Sequence, residues 1–167
     1  KKNTSSRGNS SGGTTSPNKD SNNKPTGGDS TPKYTGGSMT WPVPGYYSIS
    51  SPYGYRTHPV SGKRKLHTGI DIAGGGINGQ SAVATASGTV IMAQYYGGYG
   101  NCLIIDHGGR LSTLYGHGSS ILVSPGQSVK KGQPVLRVGS TGVSTGPHLH
   151  FEVRKNGSPV NPMNYLK

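Results

Sequence analysis

A single cysteine, Cys102, rules out any internal disulfide. Its place beside Leu103-Ile104-Ile105 marks it as a buried structural thiol. No apolar run is long enough to span a bilayer, so no membrane-crossing segment is expected in this chain. Helical periodicity of useful length is missing too, which argues against a helical domain. Hydrophobic residues make up 29% of the chain, low for a globular protein, and the shortage is uneven. Residues 1–38 are almost entirely Ser, Thr, Gly, Asn, Lys, Pro and Asp, with Tyr34 the one aromatic. Such a stretch cannot bury enough apolar surface to offset the entropy of ordering and reads as a disordered linker or tail. From Met39 onward apolar residues recur, and one domain is expected over 39–167. The chain opens inside the polar tract, so the lack of a leader segment does not bear on compartment.

Acidic residues are the other scarcity. Five Asp and Glu face seventeen Lys and Arg, for a formal net charge of +12. Beyond residue 38 the acids are Asp71, Asp106 and Glu152 alone. A basic balance favours polyanionic partners. Here the cations are scattered over Gly-rich loops and not gathered on a helix or interleaved with aromatics, which speaks against nucleic acid. An anionic cell wall suits the charge equally well.

What is present is a series of short β-branched runs punctuated by Gly, Pro and Asn. The predicted strands are Tyr46–Ser50, Ser81–Ala86, Thr89–Gln94, Cys102–Asp106, Leu111–Tyr115, Pro134–Val138 and His148–Arg154. Gly108-Gly109 is expected to be a two-residue hairpin turn. An all-β, antiparallel, loop-rich domain follows.

Four of the six histidines form a pattern with Asp71. In Gly146-Pro147-His148-Leu149-His150-Phe151-Glu152, strand alternation puts His148, His150 and Glu152 on one face, toward a cleft. Leu149, Phe151 and Val153 take the other, toward the core. Two imidazoles about 6.6 Å apart along a strand can converge on one metal, or on a metal and its bound water. His67 and Asp71 have the same parity, but an extended chain would hold them about 13 Å apart, so Gly69 is expected to bend it. Two histidines and a carboxylate leave a fourth position for water, the composition of a catalytic zinc site. His117 adds a further imidazole at a strand end. His58 and His107 are read as hydrogen-bonded structural residues, and Glu152 as a partner orienting a histidine in preference to a general base.

The segments Ser51-Pro52-Tyr53-Gly54-Tyr55-Arg56-Thr57-His58-Pro59, His67-Thr68-Gly69-Ile70-Asp71-Ile72-Ala73, Tyr115-Gly116-His117, Val129-Lys130-Lys131-Gly132-Gln133 and Ser140-Thr141-Gly142 through His148-Leu149-His150-Phe151-Glu152 resemble the lysostaphin-type (LytM-like) zinc metallopeptidases. The resemblance runs from about Trp41 to Leu166 and implies antiparallel sheets in a sandwich with long loops forming a cleft. It implies one Zn2+ per domain held by His67, Asp71 and His150, with His117 and His148 handling the attacking water and the transition state. Spacing alone leaves open which of His148 and His150 is the ligand. All five positions are filled, unlike the regulatory relatives that have lost ligands. Two departures concern substrate fit: Gly118-Ser119-Ser120 stands where a hydrophobic residue is expected, and the loop Ala73–Gln80 holds four glycines.

The resemblance further implies an extracellular or cell-wall endopeptidase acting on peptidoglycan peptides. The Arg56–Pro59 and Ser61–Lys65 segments are similar to those of members that cut D-alanyl–diamino-acid stem-peptide bonds. Tyr95, Tyr96 and Tyr99 are either groove lining or loop filler. The rival expectations are a catalytically silent wall-binding module on the same fold and a non-haem iron oxygenase. Against the oxygenase, His67 and Asp71 are four apart, and His117 and His148 would have no role.

Overall fold

The computed structural model describes residues 34–167. The predicted tail, 1–38, therefore lies outside the described residues except for its last five. Within those, the Tyr34 N–H donates to the His107 carbonyl at 2.6 Å, and the Tyr34 ring packs against the core.

Twelve strands are present among the described residues. They are β1 (Ile49–Ser51), β2 (Gly54–Thr57), β3 (Arg64–His67), β4 (Ile70–Ile72), β5 (Ser81–Val83), β6 (Gly88–Tyr95), β7 (Asn101–Asp106), β8 (Leu111–Ile121), β9 (Ser128–Val129), β10 (Pro134–Val138), β11 (Leu149–Lys155) and β12 (Ser158–Val160). Ten join one sheet, whose main path runs β1-β4-β11-β8-β7-β6-β9, and β2–β3 make a separate hairpin. All ladders between these strands are antiparallel, as expected of an all-β chain with short connections. The strands missed by sequence reasoning, β2 to β4, β9 and β12, are two to four residues long. Runs that short carry too few alternations to show a period of two.

The core face follows the expected alternation. Leu149, Phe151 and Val153 of β11 are fully buried, and Phe151 lies opposite Tyr115 of β8 and Ile70 of β4. The Tyr115 and Phe151 rings meet edge to face at 5.2 Å, a favoured aromatic geometry. The Tyr115 hydroxyl accepts from the Thr85 N–H at 2.9 Å, which satisfies both buried groups. Cys102 is buried as expected, and burial pushes its thiol up to about 12, which keeps it out of thiolate chemistry.

The β7–β8 connection differs from the expected two-residue turn. Gly108, Gly109 and Arg110 all have positive φ, and the His107 N–H donates to the Leu111 carbonyl at 2.9 Å. The turn thus holds three residues, Arg110 taking the left-handed position of a hairpin bulge. His107 has the structural role expected of it. It is buried, with Nδ1 2.9 Å from the Ser87 carbonyl and Nε2 2.8 Å from the Thr113 hydroxyl. Burial lowers its pKa, against the opposing pull of the Ser87 carbonyl and Asp106. The unfolded chain therefore takes up a proton here more readily than the fold, so stability falls as pH drops below about 6.5. We expect the urea midpoint to decrease from about pH 7 to about pH 5, and to decrease less in His107→Gln. Equal slopes for the two proteins would rule out this contribution.

The Gly118 departure has a packing cause. A Cβ at Gly118 would stand 2.6 Å from Leu136 Cδ1, so the lack of a side chain there makes room for Leu136 of β10, the strand paired alongside β8. The glycine-rich loop meets the cleft only through Ala73.

Candidate metal centre

The site is assembled from strands that the chain visits far apart. Asp71 of β4 and His150 of β11 are direct cross-strand neighbours, in the same ladder that pairs Ile70 with Phe151 and Ile72 with Leu149. Burying the two Ile pairs in the core therefore turns Asp71 and His150 together toward the opposite face. His67 arrives from the separate β2–β3 hairpin, and residues 68 and 69 carry the chain from that hairpin into β4. Gly69 was expected for its conformational freedom. It serves instead by having no side chain: a Cβ there would lie 2.2 Å from the Phe151 carbonyl oxygen.

Three candidate ligand atoms converge. His150 Nδ1 is 2.8 Å from Asp71 Oδ1, His67 Nε2 is 3.1 Å from the same oxygen, and the two nitrogens are 3.2 Å apart. All three residues are buried and could hold a metal ion together. The far nitrogen of each ring has a partner that sets its tautomer. His67 Nδ1 lies 2.8 Å from the Pro52 carbonyl, and His150 Nε2 lies 2.9 Å from Glu152 Oε1. If each far nitrogen donates to its oxygen, the near nitrogens present lone pairs to each other and to a carboxylate. Three acceptors facing one point can share a cation. Their spacing is close to the edge of about 3.3 Å of a tetrahedron with bonds of about 2.0–2.1 Å, so the set fits zinc. When the rings donate to Asp71 instead, burial raises its carboxyl, but hydrogen bonds and charge from His150 and His67 hold it well below the usual carboxylate range.

Glu152 is fully buried. That corrects the expectation that its face opens into the cleft: the cleft ends at His150. Glu152 accepts from Thr68 Oγ1, from Tyr99 Oη at 2.8 Å and from Arg154 Nε at 2.7 Å, besides His150. Burial raises its carboxyl, yet the His150 hydrogen bond and charge, followed by Thr68 and Tyr99, bring it down to about 2. The meeting of Thr68, Tyr99 and Arg154 at Glu152 is not legible in the sequence, since only the folded chain brings them to one carboxylate. Of the three candidate groove tyrosines, Tyr99 lines the cleft and Tyr95 and Tyr96 do not.

Two more imidazoles border the same cleft of about 970 Å³. His117 and His148 have ring centres 4.6 Å apart. His148 Nδ1 is 2.8 Å from the Gly146 carbonyl, and His117 Nδ1 is 2.8 Å from the Thr141 carbonyl. Each ring therefore has Nε2 left for the cleft, and His148 Nε2 lies 3.8 Å from Asp71 Oδ1. Alternation from Tyr115, which faces the core, would send His117 inward as well. Instead the β7–β8 register slips by one residue between the pairs Leu103↔Tyr115 and Asn101↔Gly118, and His117 adopts φ +63°. This bulge turns its ring to the cleft, at the cost of a backbone conformation that non-glycine residues rarely adopt. Burial pushes the His117 imidazole down to about 4, against the opposing Thr141 carbonyl, so it is neutral near pH 7. His58, by contrast, uses Nδ1 to accept from the N–H groups of Val60 and Ser61, each at 3.2 Å, which ties its own loop.

The family model of peptidase family M23 matches residues 65–162. The chain belongs to peptidase family M23. This M23 domain is 48% identical over 118 residues to the DD-carboxypeptidase/endopeptidase Mpg of Neisseria meningitidis, covering 71% of this chain and 27% of that protein. It is 40% identical over 156 residues to the murein hydrolase activator NlpD of Salmonella dublin, covering 87% of this chain and 41% of that protein. It thus spans less than half the length of these curated relatives. Among solved structures it is similar to a zinc-containing peptidase from Vibrio cholerae, with TM-score 0.69, 40% identity and 75% and 39% of the two chains covered. It is also similar to the catalytic domain of lysostaphin from Staphylococcus simulans, with TM-score 0.64, 31% identity and 71% and 91% covered. No helix among the described residues is long and apolar enough to cross a membrane.

Proposed function

We propose that this M23 domain is a zinc-dependent endopeptidase of the bacterial envelope. Its substrates would be peptidoglycan cross-links, in first place the D-alanyl–diamino-acid bond. His67, Asp71 and His150 would hold the ion, and His117 and His148 would handle protons. One observation carries this reading: two histidines outside the converging triad keep Nε2 toward the cleft in which the triad lies. A binding module would need no such pair.

Zinc held by the triad supplies acidification of a coordinated water and polarisation of the scissile carbonyl. The chain's own residues do the rest. Glu152 keeps the His150 ring turned with Nδ1 toward the triad, and the Pro52 carbonyl does the same for His67. His117, neutral near pH 7, is able to accept a proton at Nε2. A protonated imidazole at position 117 or 148 can then donate to the departing amine or steady negative charge on the carbonyl oxygen.

The likeness to a murein hydrolase activator supports a second reading, a silent wall-binding domain. The iron-oxygenase reading gains nothing from the comparisons. Incubation with purified peptidoglycan separates enzyme from binder. New amines should appear with the untreated protein, vanish with chelator and return on adding zinc. Wall binding without new amines would refute the peptidase and leave the binder.

A further inference from the structure

The β2–β3 hairpin forms one wall of the cleft. Its register pairs Arg56 with Lys65 and Gly54 with His67. By the strand period of two, Arg56, Lys65 and His67 share a face, while Tyr55 and Arg64 take the other. There the Arg64 guanidinium sits 5.5 Å from the centre of the Tyr55 ring. On the inner face two cations stand directly opposite each other, an arrangement that is destabilising in itself.

Among the described residues only Asp71 stands close enough to offset it, as an ion pair with Arg56 at 3.7 Å. Among the described residues the acids are Asp71, Asp106 and Glu152. Asp106 accepts from the Gly108 N–H at 2.9 Å, in the turn before β8, five residues away from His117 across the strand's register. Glu152 is enclosed and paired with Arg154 at 2.7 Å. Asp71 commits Oδ1 to His67 and His150, and its Oδ2 lies 3.7 Å from Arg56 Nη2, beyond hydrogen-bond length. Arg56 is 31% exposed, so its fork of donors is reachable from the cleft. Lys65 is exposed beside it.

We infer that Arg56, assisted by Lys65, is a carboxylate-binding subsite that selects peptides bearing a free carboxylate beside the bond to be cut. The planar guanidinium can take a carboxylate through two parallel N–H···O bonds, and the ammonium adds a point charge. Arg56 lies so near Asp71 that the bound carboxylate falls within one or two residues of the scissile amide, at about 3.3–3.6 Å of chain per residue. This rests on the peptidase reading above and adds to it the feature by which the substrate is chosen. The carboxylate has two possible sources, the C-terminus of one strand of the cross-link or the side chain of the diamino acid.

Three cross-linked stem-peptide dimers test it. One has both carboxylates free, one is amidated at the C-terminus, and one is amidated on the diamino-acid side chain. The wild-type protein should cut the free form with a kcat/KM about 10- to 100-fold above that of one amidated form, the worth of a charge-assisted hydrogen bond. The form that suffers identifies the source. Arg56→Gln should collapse that ratio toward unity, mainly through KM, Arg56→Lys should restore part of it, and Lys65→Gln should shrink it less. The wild-type ratio needs no variant, so a poorly folded substitution does not shield the inference. Equal cutting of all three dimers, or an Arg56→Gln protein slowed by one common factor, overturns the subsite and leaves the peptidase standing. If no dimer is cut, the same comparison is made by calorimetric binding. Discrimination there keeps the subsite and removes the peptidase, whereas equal binding removes both.

Discussion

His148→Ala should retain one zinc per domain and lose about 10²–10⁴-fold in kcat, the usual range for removing a general acid or base. Its Nδ1 is tied to the Gly146 carbonyl, and its Nε2 stands 3.8 Å from Asp71, farther than any contact within the His67–Asp71–His150 triad. The ring borders the ligand set without completing it. Asp71→Ala should behave differently and lose metal and turnover together, because the two remaining imidazoles would face each other at 3.2 Å with no anion to hold a cation. Metal analysis of the purified variants beside a peptidoglycan assay checks both. A His148→Ala protein that is as active as the parent would remove this residue from proton handling. One that has lost its zinc would make it a ligand.

Glu152→Ala should be strongly destabilising, by about 1–3 kcal/mol for each donor left buried without an acceptor. The carboxylate is fully buried and takes hydrogen bonds from His150, Thr68, Tyr99 and Arg154. Truncation orphans all four donors and frees the His150 ring to turn. Zinc affinity should therefore fall as well, by about 10–100-fold, as when other groups that orient a metal-binding histidine are removed. Glu152→Gln preserves the shape and should cost less. Its distinguishing mark is pH. The native carboxyl, held at about 2, lies below its unfolded value, so its contribution is complete above about pH 4.5 and is lost as pH falls toward 2. A glutamine cannot titrate, and the acid limb of the stability curve should flatten. Denaturant unfolding of metal-free protein across that range would show it. An unchanged acid limb, or a Glu152→Ala protein as stable as the parent, would mean that the four donors find other partners.

Relatives named for endopeptidase and for activator functions match the same domain, so family membership does not by itself decide activity. The His117 bulge bears on that question. A non-glycine residue at φ +63° stores strain, and here the strain directs a neutral imidazole into the cleft. Strain of this kind concentrates at sites where geometry matters for function.

The secondary-structure class and the core-facing side of β11 were legible in the order of residues alone. Alternation over Leu149–Val153 is a local property, legible wherever one strand is long enough to show its period. The grouping of the histidines with Asp71 was legible too, but only as a composition suited to a metal. Several features belong to the tertiary structure alone. Strand pairing across β4 and β11 made Asp71 and His150 neighbours, and Gly69 let the Phe151 carbonyl approach so that His67 could join them. A one-residue slip in β8 re-aimed His117. The β2–β3 register set Arg56 against Lys65, and four donors from separate segments met at Glu152. The reason is the same in each case. Register and close approach depend on which distant strand lies alongside, and no property of the residues on one strand encodes that partner.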